Sequence, residues 1–128
     1  MFGKISIIGC GLIGSSILRA TEEKKLAKKI SVHDKSNKVI EYLKKNFTAD
    51  ICSNVTESTK DADLIIISAP LSSYKEILLS IKSTLKEGSI LTDTGSAKKE
   101  VNKIVNNLSL KNISWIASHP IAGTEYSG

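Results

Sequence analysis

The segment that most constrains the fold is a glycine-rich turn after a short apolar run near the start of the chain. Residues 5–8 read Ile-Ser-Ile-Ile, and residues 9–14 read Gly-Cys-Gly-Leu-Ile-Gly. Apolar residues then continue at helical spacing through Leu12, Ile13 and Ile17. A strand, a GxGxxG turn and a helix in this order predict the first unit of a parallel sheet covered by helices.

Each glycine of the turn has its own physical reason. Gly9 permits the tight turn, Gly11 lets a bound group approach the backbone, and Gly14 lets the helix pack closely on the sheet. The free N–H groups at the N-terminus of the helix attract anions. The pattern therefore predicts a site for the pyrophosphate of a dinucleotide, with Leu12 and Ile13 beside it.

An acidic residue stands where such a site needs one. Asp34 follows Gly14 by 20 residues and ends the next apolar run. A carboxylate there accepts hydrogen bonds from ribose hydroxyls and repels a 2′-phosphate, which favours NAD over NADP as the cofactor. Lys35 opposes that preference, because an ammonium beside Asp34 can pair with a 2′-phosphate. The alternative, glycines that serve only a turn and an Asp34 that serves only as a cap, is disfavoured by the combined spacing.

Short apolar runs alternate with helical patterns along the whole chain. This alternation predicts an α/β fold of the Rossmann type, a doubly wound, mostly parallel sheet with helices on both faces. Six strands are expected, at residues 4–9, 30–34, 49–52, 64–68, 90–93 and 114–118. A chain of 128 residues fits a single domain, which we assign to residues 1–128.

Three further helices are marked by apolar spacing and by caps. The clearest follows Pro70, where Ser73 and Glu76 have capping-box spacing and Gly88 is expected to stop the helix. A second helix is expected after a Ser36 cap, and a third follows the fifth strand. The apolar positions of the three are Tyr74, Ile77, Leu78, Ile81 and Leu85; Val39, Ile40 and Leu43; and Val101, Ile104, Val105 and Leu108.

Small and polar residues follow the fourth and fifth strands. Residues 68–70 read Ser-Ala-Pro, and residues 94–96 read Thr-Gly-Ser. Since ligands bind at the carboxyl ends of parallel strands, we expect Ser68, Ala69, Pro70 and Thr94 to line the cofactor site. Two simpler interpretations stay open: Pro70 only ends a strand, and the residues after Thr94 only form a turn and a helix cap.

His119 is the candidate catalytic base. It follows the last expected strand and precedes Pro120 and a glycine-containing loop. An imidazole held near a nicotinamide can accept a proton near neutral pH. A purely structural histidine is the alternative, and Trp115, within the same strand, is expected to belong to the core.

Composition argues against several other classes of protein. The net charge of +5 comes from scattered lysines and one arginine, without the clustered basic and aromatic residues of nucleic-acid binding proteins. No apolar run approaches the length of a membrane span, and no signal peptide precedes the first strand, so a cytoplasmic location is expected. Cys10 and Cys52 have no metal-ligand spacing, and we expect two reduced thiols and no bound metal.

The chain resembles the cofactor domain of the prephenate and arogenate dehydrogenase family. The resemblance rests on residues 9–14 with Asp34, on residues 93–98 (Asp-Thr-Gly-Ser-Ala-Lys), and on residues 119–128 (His-Pro-Ile-Ala-Gly-Thr-Glu-Tyr-Ser-Gly). The first segment is shared by many dehydrogenases, whereas the last is the most specific. Ala97 replaces the valine expected in the second segment, which is a change in packing only.

The resemblance implies an NAD-dependent oxidative decarboxylation of prephenate to 4-hydroxyphenylpyruvate, on the route to tyrosine. His119 would accept the proton of the ring hydroxyl, and Ser96 would help to hold that hydroxyl and the nicotinamide. Thr124 and Glu125 match a loop that lines the substrate site, with Glu125 helping to control entry. Arogenate, another small acid, or a non-catalytic role in binding NAD remain the alternatives.

The resemblance also implies a part that this sequence lacks. Recognition of the two carboxylates of prephenate favours guanidinium groups, yet Arg19 is the only arginine and is expected to be a solvated helix residue. In this family a helical second domain follows, which supplies substrate-binding cations and the interface of a homodimer. We therefore expect the chain to be incomplete for catalysis by itself.

Overall fold

The computed structural model describes residues 2–94, 98–108 and 113–116. The strands are β1 (Phe2–Ile8), β2 (Ala27–His33), β3 (Asp50–Ile51), β4 (Leu64–Ile67), β5 (Ile90–Asp93) and β6 (Ser114–Ile116). The helices are α1 (Leu12–Glu23), α2 (Asn37–Asn46), α3 (Val55–Thr59), α4 (Tyr74–Ile81) and α5 (Lys98–Leu108), with a 3₁₀ turn at Leu71–Ser73. None of these helices is long and apolar enough to cross a bilayer.

The strands form one sheet in the order β3-β2-β1-β4-β5-β6, and every neighbouring pair runs parallel. From β1 the chain winds outward through β2 and β3, then returns to the centre and winds outward the other way through β4, β5 and β6. The order therefore reverses between β1 and β4, and the carboxyl ends of these strands border the crevice where such sheets bind ligands. This topology confirms the predicted doubly wound α/β fold.

Two apolar cores cover the two faces of the sheet. One contains Ile7, Leu18 and Leu43, so α1 and α2 pack on that face. The other contains Ile8 and Leu78 with further residues of β4, β5, α4 and α5. Because neighbouring residues of a strand point to opposite faces, Ile7 and Ile8 of β1 belong to different cores. The sheet is thus buried on both sides, which is why its strands read as continuous apolar runs.

All six expected strands are present, with differences at their ends. β2 begins at Ala27 rather than at residue 30, because residues 27–29 pair with residues 2–4 of β1. Because Lys28 and Lys29 are exposed and charged, this part of the strand does not read as an apolar run in the sequence. Of the last expected strand, residues 117 and 118 lie outside the described part of the chain.

The prediction for α4 is right in position and in its first residue, Tyr74, and wrong about the side-chain cap and the C-terminal end. Ser73 makes no capping hydrogen bond through its side chain, because its backbone has helical angles rather than the extended angles of a typical N-cap. It lies in the 3₁₀ turn, where its N–H donates to the carbonyl of Pro70 at 2.9 Å. The helix ends at Ile81, well before Gly88, which has a φ of +84° and lies in the turn before β5. Leu85 still packs against the core, although from the loop rather than from the helix.

The other helices show one confirmed cap and one element that was not predicted. Ser36 Oγ accepts a hydrogen bond from the N–H of Val39 at 3.4 Å, as predicted for α2. The short helix α3 has no predicted counterpart. Asn54 caps it by accepting from the N–H of Glu57 at 2.8 Å. This asparagine and a glutamate three residues later are a capping signal that reveals α3 in retrospect.

Candidate functional site

A cleft of about 1370 Å³ opens at the carboxyl ends of β1, β2, β4 and β5. Ten of the eleven predicted cofactor residues line it, and Gly14 is buried behind the turn. The structure therefore brings together residues that are up to 85 positions apart, from the glycine turn to the end of β5. The ten are Gly9, Gly11, Leu12, Ile13, Asp34, Lys35, Ser68, Ala69, Pro70 and Thr94.

Two glycines of the turn have no space for a side chain. Gly9 has a φ of +93°, and a Cβ there would lie 2.8 Å from the backbone nitrogen of Ala69. At Gly14 a Cβ would lie 2.2 Å from the carbonyl oxygen of Gly9. These contacts hold the start of α1 close to the ends of β1 and β4, as the motif predicts.

Gly11 differs from the other two glycines. A Cβ at this position would meet nothing within 4 Å, so no neighbouring protein atom requires a glycine there. The space beside it belongs to the cleft, where a side chain would obstruct a bound group. Gly11 also precedes α1, whose N-terminus has no side-chain cap and no acidic residue in its first turn. Uncapped N–H groups beside open space fit a pyrophosphate.

The carboxylate of Asp34 is held by two backbone N–H groups. Oδ2 accepts from Cys10 at 2.7 Å, and Oδ1 accepts from Ser36 at 2.8 Å. Asp34 thereby joins the end of β2 to the glycine turn. Each carboxylate oxygen has a second lone pair that can accept a further hydrogen bond, and Asp34 lines the cleft. The arrangement suits acceptance of hydrogen bonds from ribose hydroxyls.

The charged and titratable neighbours of Asp34 make no bond to its carboxylate in this structure. Lys35 is exposed at the rim of the cleft, while the ring of His33 pairs through Nδ1 with the carbonyl of Cys52 at 2.9 Å. Arg19 is exposed and lies 5.2 Å from the ring centroid of Phe47. Arg19 is therefore the exposed helix residue expected from the sequence, and His33 has a structural contact at the end of β2.

Both cysteine thiols are free, as expected. Burial, with the nearby charge of Asp34 as a smaller cause, raises the pKa of the Cys10 thiol to about 12. Burial and neighbouring acidic groups also raise the pKa of Cys52. Protonated thiols are weak nucleophiles and weak metal ligands. In the described part of the chain, no group of three or more histidine, cysteine or acidic side chains is placed to hold a metal.

The ends of β4 and β5 are joined by polar contacts beside the cleft. Thr94 donates through its N–H to the carbonyl of Ile67 and through Oγ1 to Ser68 Oγ, both at 3.0 Å. Below them, the hydroxyl of Tyr74 lies 3.3 Å from both the Ile67 carbonyl oxygen and Oδ2 of Asp93. These contacts fix the wall of the cleft on the far side of the glycine turn from Asp34.

Another wall of the cleft was not predicted from the sequence. It is formed by the start of α3 and by one face of α4. Val55 and Ile77 supply apolar surface, and polar lining residues include Asn54, which caps α3, and Glu76 and Ser80 of α4. Ser36, the predicted cap of α2, also lines the cleft. The helix α3 was not predicted, so the wall that it forms with α4 is seen only in the structure.

The remaining predicted site residues lie outside the described part of the chain. They are the catalytic candidates Ser96 and His119 and the substrate-loop candidates Thr124 and Glu125. Their roles stay predictions. The described residues closest to them in sequence are Thr94 at the end of β5 and Ile116 at the end of β6.

The comparisons with known proteins agree with this architecture. Residues 17–128 match the family model described as prephenate dehydrogenase, nucleotide-binding domain. A cyclohexadienyl dehydrogenase of Zymomonas mobilis is 34% identical over 129 residues, and the match covers 100% of this chain and 44% of the relative. A prephenate dehydrogenase of Lactococcus lactis is 36% identical over 128 residues, covering 98% of this chain and 36% of the relative. The chain thus spans less than half the length of these curated relatives.

A solved structure of related fold is prephenate dehydrogenase from A. aeolicus in complex with hydroxyphenyl propionate and NAD⁺. It superposes with a TM-score of 0.73 at 20% identity, covering 98% of this chain and 44% of that one. At this identity the similarity shows the fold alone. Because the family model matches most of the sequence, the chain belongs to the prephenate dehydrogenase family, whose nucleotide-binding domain it matches.

Proposed function

We propose that this chain binds NAD and is the cofactor-binding part of an enzyme that oxidises and decarboxylates prephenate to 4-hydroxyphenylpyruvate. The observation that carries the proposal is the cleft at the switch point of the sheet, where open space beside Gly11 faces the uncapped start of α1. The family match and the NAD⁺ in complex with the A. aeolicus enzyme support it.

The described residues give each part of the cofactor a binding group. The turn at Gly11 and the N-terminus of α1 would hold the pyrophosphate. Asp34 would accept from the ribose of the adenosine half, and the wall of α3 and α4 would cover its base. Ser68 and Thr94 would then contact the nicotinamide half, on the opposite side of the glycine turn. When bound, the nicotinamide accepts a hydride.

NAD rather than NADP is the proposed cofactor. The support is Asp34, whose carboxylate is fixed at 2.7 and 2.8 Å by Cys10 and Ser36 and so cannot swing away from a 2′-phosphate without breaking both bonds. Repulsion between this carboxylate and a phosphate opposes NADP. Lys35, exposed at the rim, reduces the preference without removing it.

For the reaction itself, we propose His119 as the base and Ser96 as the residue that holds the ring hydroxyl. The support is their place in the sequence, shortly after β6 and β5, whose carboxyl ends belong to the ligand-binding edge of the sheet. Removal of the hydroxyl proton by His119 assists departure of hydride from the same carbon, while carbon dioxide leaves the opposite ring carbon as the ring becomes aromatic. Thr124 and Glu125 would line the substrate entrance.

The greater length of the relatives supports a further proposal. We propose that residues beyond this sequence supply the cations for the two substrate carboxylates and the interface of a homodimer. Two free thiols suit a reducing compartment, and we propose that the enzyme is cytoplasmic. One relative is named for a cyclohexadienyl substrate, so prephenate and arogenate, which share that ring, are both to be tested.

The test is prephenate-dependent formation of NADH by the protein expressed with the sequence that follows codon 128. We expect activity with prephenate or arogenate, and His119→Asn is expected to lower turnover about 100-fold or more while NAD affinity stays nearly unchanged. Normal turnover in His119→Asn would contradict the base assignment. Binding of NAD with no dehydrogenase activity toward either acid would favour a non-catalytic module.

A further inference from the structure

A carboxyl group lies fully buried beside the cleft. Asp93, the last residue of β5, has 0% of its surface exposed, and Tyr74, the first residue of α4, has 1%. The Tyr74 hydroxyl lies 3.3 Å from Oδ2 of Asp93. Burial of a carboxyl group is costly unless it is hydrogen-bonded, and leucine or valine would fill the space without that cost. The polar pair therefore calls for a reason other than core packing.

The pair lies directly beneath two residues of the cleft wall. Asp93 immediately precedes Thr94, and the Tyr74 hydroxyl is also 3.3 Å from the Ile67 carbonyl oxygen. That same oxygen accepts from the N–H of Thr94 at 3.0 Å. Above it, Thr94 Oγ1 donates to Ser68 Oγ at 3.0 Å. Tyr74 and Asp93 thus connect α4 to the ends of β4 and β5 at the level where Ser68 and Thr94 face the cleft.

We propose that Tyr74 and Asp93 are positioning residues that hold Ser68 and Thr94 in the geometry that receives the nicotinamide half of the cofactor. The proposal rests on the proposed binding of NAD. Asp34 and the glycine turn lie at the ends of β2 and β1, whereas Tyr74 and Asp93 act on the ends of β4 and β5. A defect in the pair should therefore weaken contacts to the nicotinamide half more than contacts to the ADP-ribose half.

The experiment compares the dissociation constants of NADH and ADP-ribose for the wild-type chain and for Tyr74→Phe, which removes one hydroxyl. We expect NADH to bind about 5- to 10-fold more weakly and ADP-ribose to change less than about 2-fold, the range for loss of one buried hydrogen bond. The matched control is Tyr42→Phe, at an exposed tyrosine of α2. It should change neither constant.

A second variant separates positioning from a general loss of structure. Asp93→Asn keeps the shape of the side chain and one accepting oxygen, and it should weaken NADH binding in the same direction but by less. Because the two side chains contact each other, the losses of NADH affinity in the double variant should be less than additive.

Three results would overturn the proposal. Equal weakening of NADH and ADP-ribose binding would show that the pair supports the fold only, and unchanged dissociation constants for both ligands in both single variants would show that it has no role in binding. If the wild-type chain binds neither ligand, the proposed binding of NAD itself fails. Failure of the positioning role alone is therefore recognised when the wild-type chain binds both ligands tightly and the ratio of the NADH to the ADP-ribose dissociation constant is the same in wild type and variants.

Discussion

The backbone N–H of Cys10 donates a 2.7 Å hydrogen bond to Oδ2 of Asp34, across 24 residues of sequence. Through this bond the end of β2 fixes the conformation of the glycine turn at the end of β1. The acidic residue that the sequence motif assigns to a ribose therefore also shapes the part of the site proposed for the pyrophosphate. The other carboxylate oxygen, Oδ1, accepts a hydrogen bond from the N–H of Ser36 at 2.8 Å, so both oxygens of Asp34 are held by the backbone.

Asp34→Asn tests this double role. An amide has one accepting oxygen, so its NH₂ group must face one of the two N–H donors of Cys10 and Ser36. We expect NADH to bind about 10-fold more weakly, since hydrogen bonds to a charged group contribute about 1.5–3 kcal/mol each. The preference for NADH over NADPH should also narrow, because the charge that repels the 2′-phosphate is lost. Fluorescence titration with both cofactors measures both effects.

The control for that variant is Asp61→Asn, which changes the net charge equally at an exposed turn. Asp61 has a φ of +60°, a conformation that asparagine adopts readily. We expect no change in either cofactor constant. An unchanged preference in Asp34→Asn would argue against the role of Asp34 in choosing NAD.

Alanine should destabilise the fold at Gly14 and weaken cofactor binding at Gly11. At Gly14 a Cβ would lie 2.2 Å from the Gly9 carbonyl oxygen, so Gly14→Ala is expected to lower the free energy of unfolding by more than about 2 kcal/mol. At Gly11 the Cβ meets nothing within 4 Å, so Gly11→Ala should fold normally and lose NADH affinity by about 10-fold or more. Denaturant unfolding and NADH titration distinguish the two. Strong NADH binding by Gly11→Ala would contradict a pyrophosphate beside this residue.

Much of this arrangement could be predicted from the sequence, because it depends on local patterns. The central strands β1 and β4 are apolar runs that pack on both faces of the sheet, and the close packing around Gly9 and Gly14 follows from their motif. The start of β2 was missed because Lys28 and Lys29 are exposed and charged. For α4, the C-terminal end and the Ser73 side-chain cap were predicted wrongly, since the helix ends at Ile81 and a 3₁₀ turn precedes it. Tertiary packing decides these boundaries.

Contacts between distant residues could not be predicted in the same way. Tyr74 looks like an ordinary member of an apolar helical stripe, and only the structure brings its hydroxyl to Asp93, 19 positions away. The helix α3 is too short to show an amphipathic period, yet its start forms a wall of the cleft. Serines 6, 31 and 58 carry no motif, although they meet in one buried network.

Two buried serines provide a matched test of that network. Ser58 Oγ lies 2.8 Å from Ser6 Oγ and donates to Ser31 Oγ at 3.3 Å, whereas Ser89 Oγ has no partner among the described residues. Ser58→Ala should therefore lower the free energy of unfolding by about 1–3 kcal/mol, because it leaves buried hydroxyls with fewer partners. Ser89→Ala should leave it unchanged or raise it. Equal losses in chemical denaturation would show that the network contributes nothing specific.

Asp63 should make stability depend on pH. It accepts from Lys86 Nζ and from the N–H of Lys4, and these bonds, with that to Lys86 the larger cause, lower the pKa of its carboxyl group in the folded state. A lowered pKa contributes stability that is present above the unfolded value, about 3.9, and is lost as pH falls through the folded value. The stability difference between wild type and Asp63→Asn should thus be constant near neutrality and vanish in acid.

Urea unfolding at several pH values measures that difference, with Asp61→Asn again as the control in the same loop. The control keeps the contacts of Asp63, so its free energy of unfolding should follow the pH dependence of the wild type. A difference for Asp63→Asn that persists unchanged to the lowest pH would show that its carboxylate charge is not the source of the stabilisation.

The binding of NAD is tested most directly by titration of this 128-residue chain with NADH, followed by energy transfer from its single tryptophan, Trp115. We expect saturable binding at one site, tighter for NADH than for NADPH, and competition by ADP-ribose. A folded chain that does not bind NADH, or that binds it equally well after Gly11→Ala, would contradict the assignment of the cleft beside the glycine turn as a site for NAD.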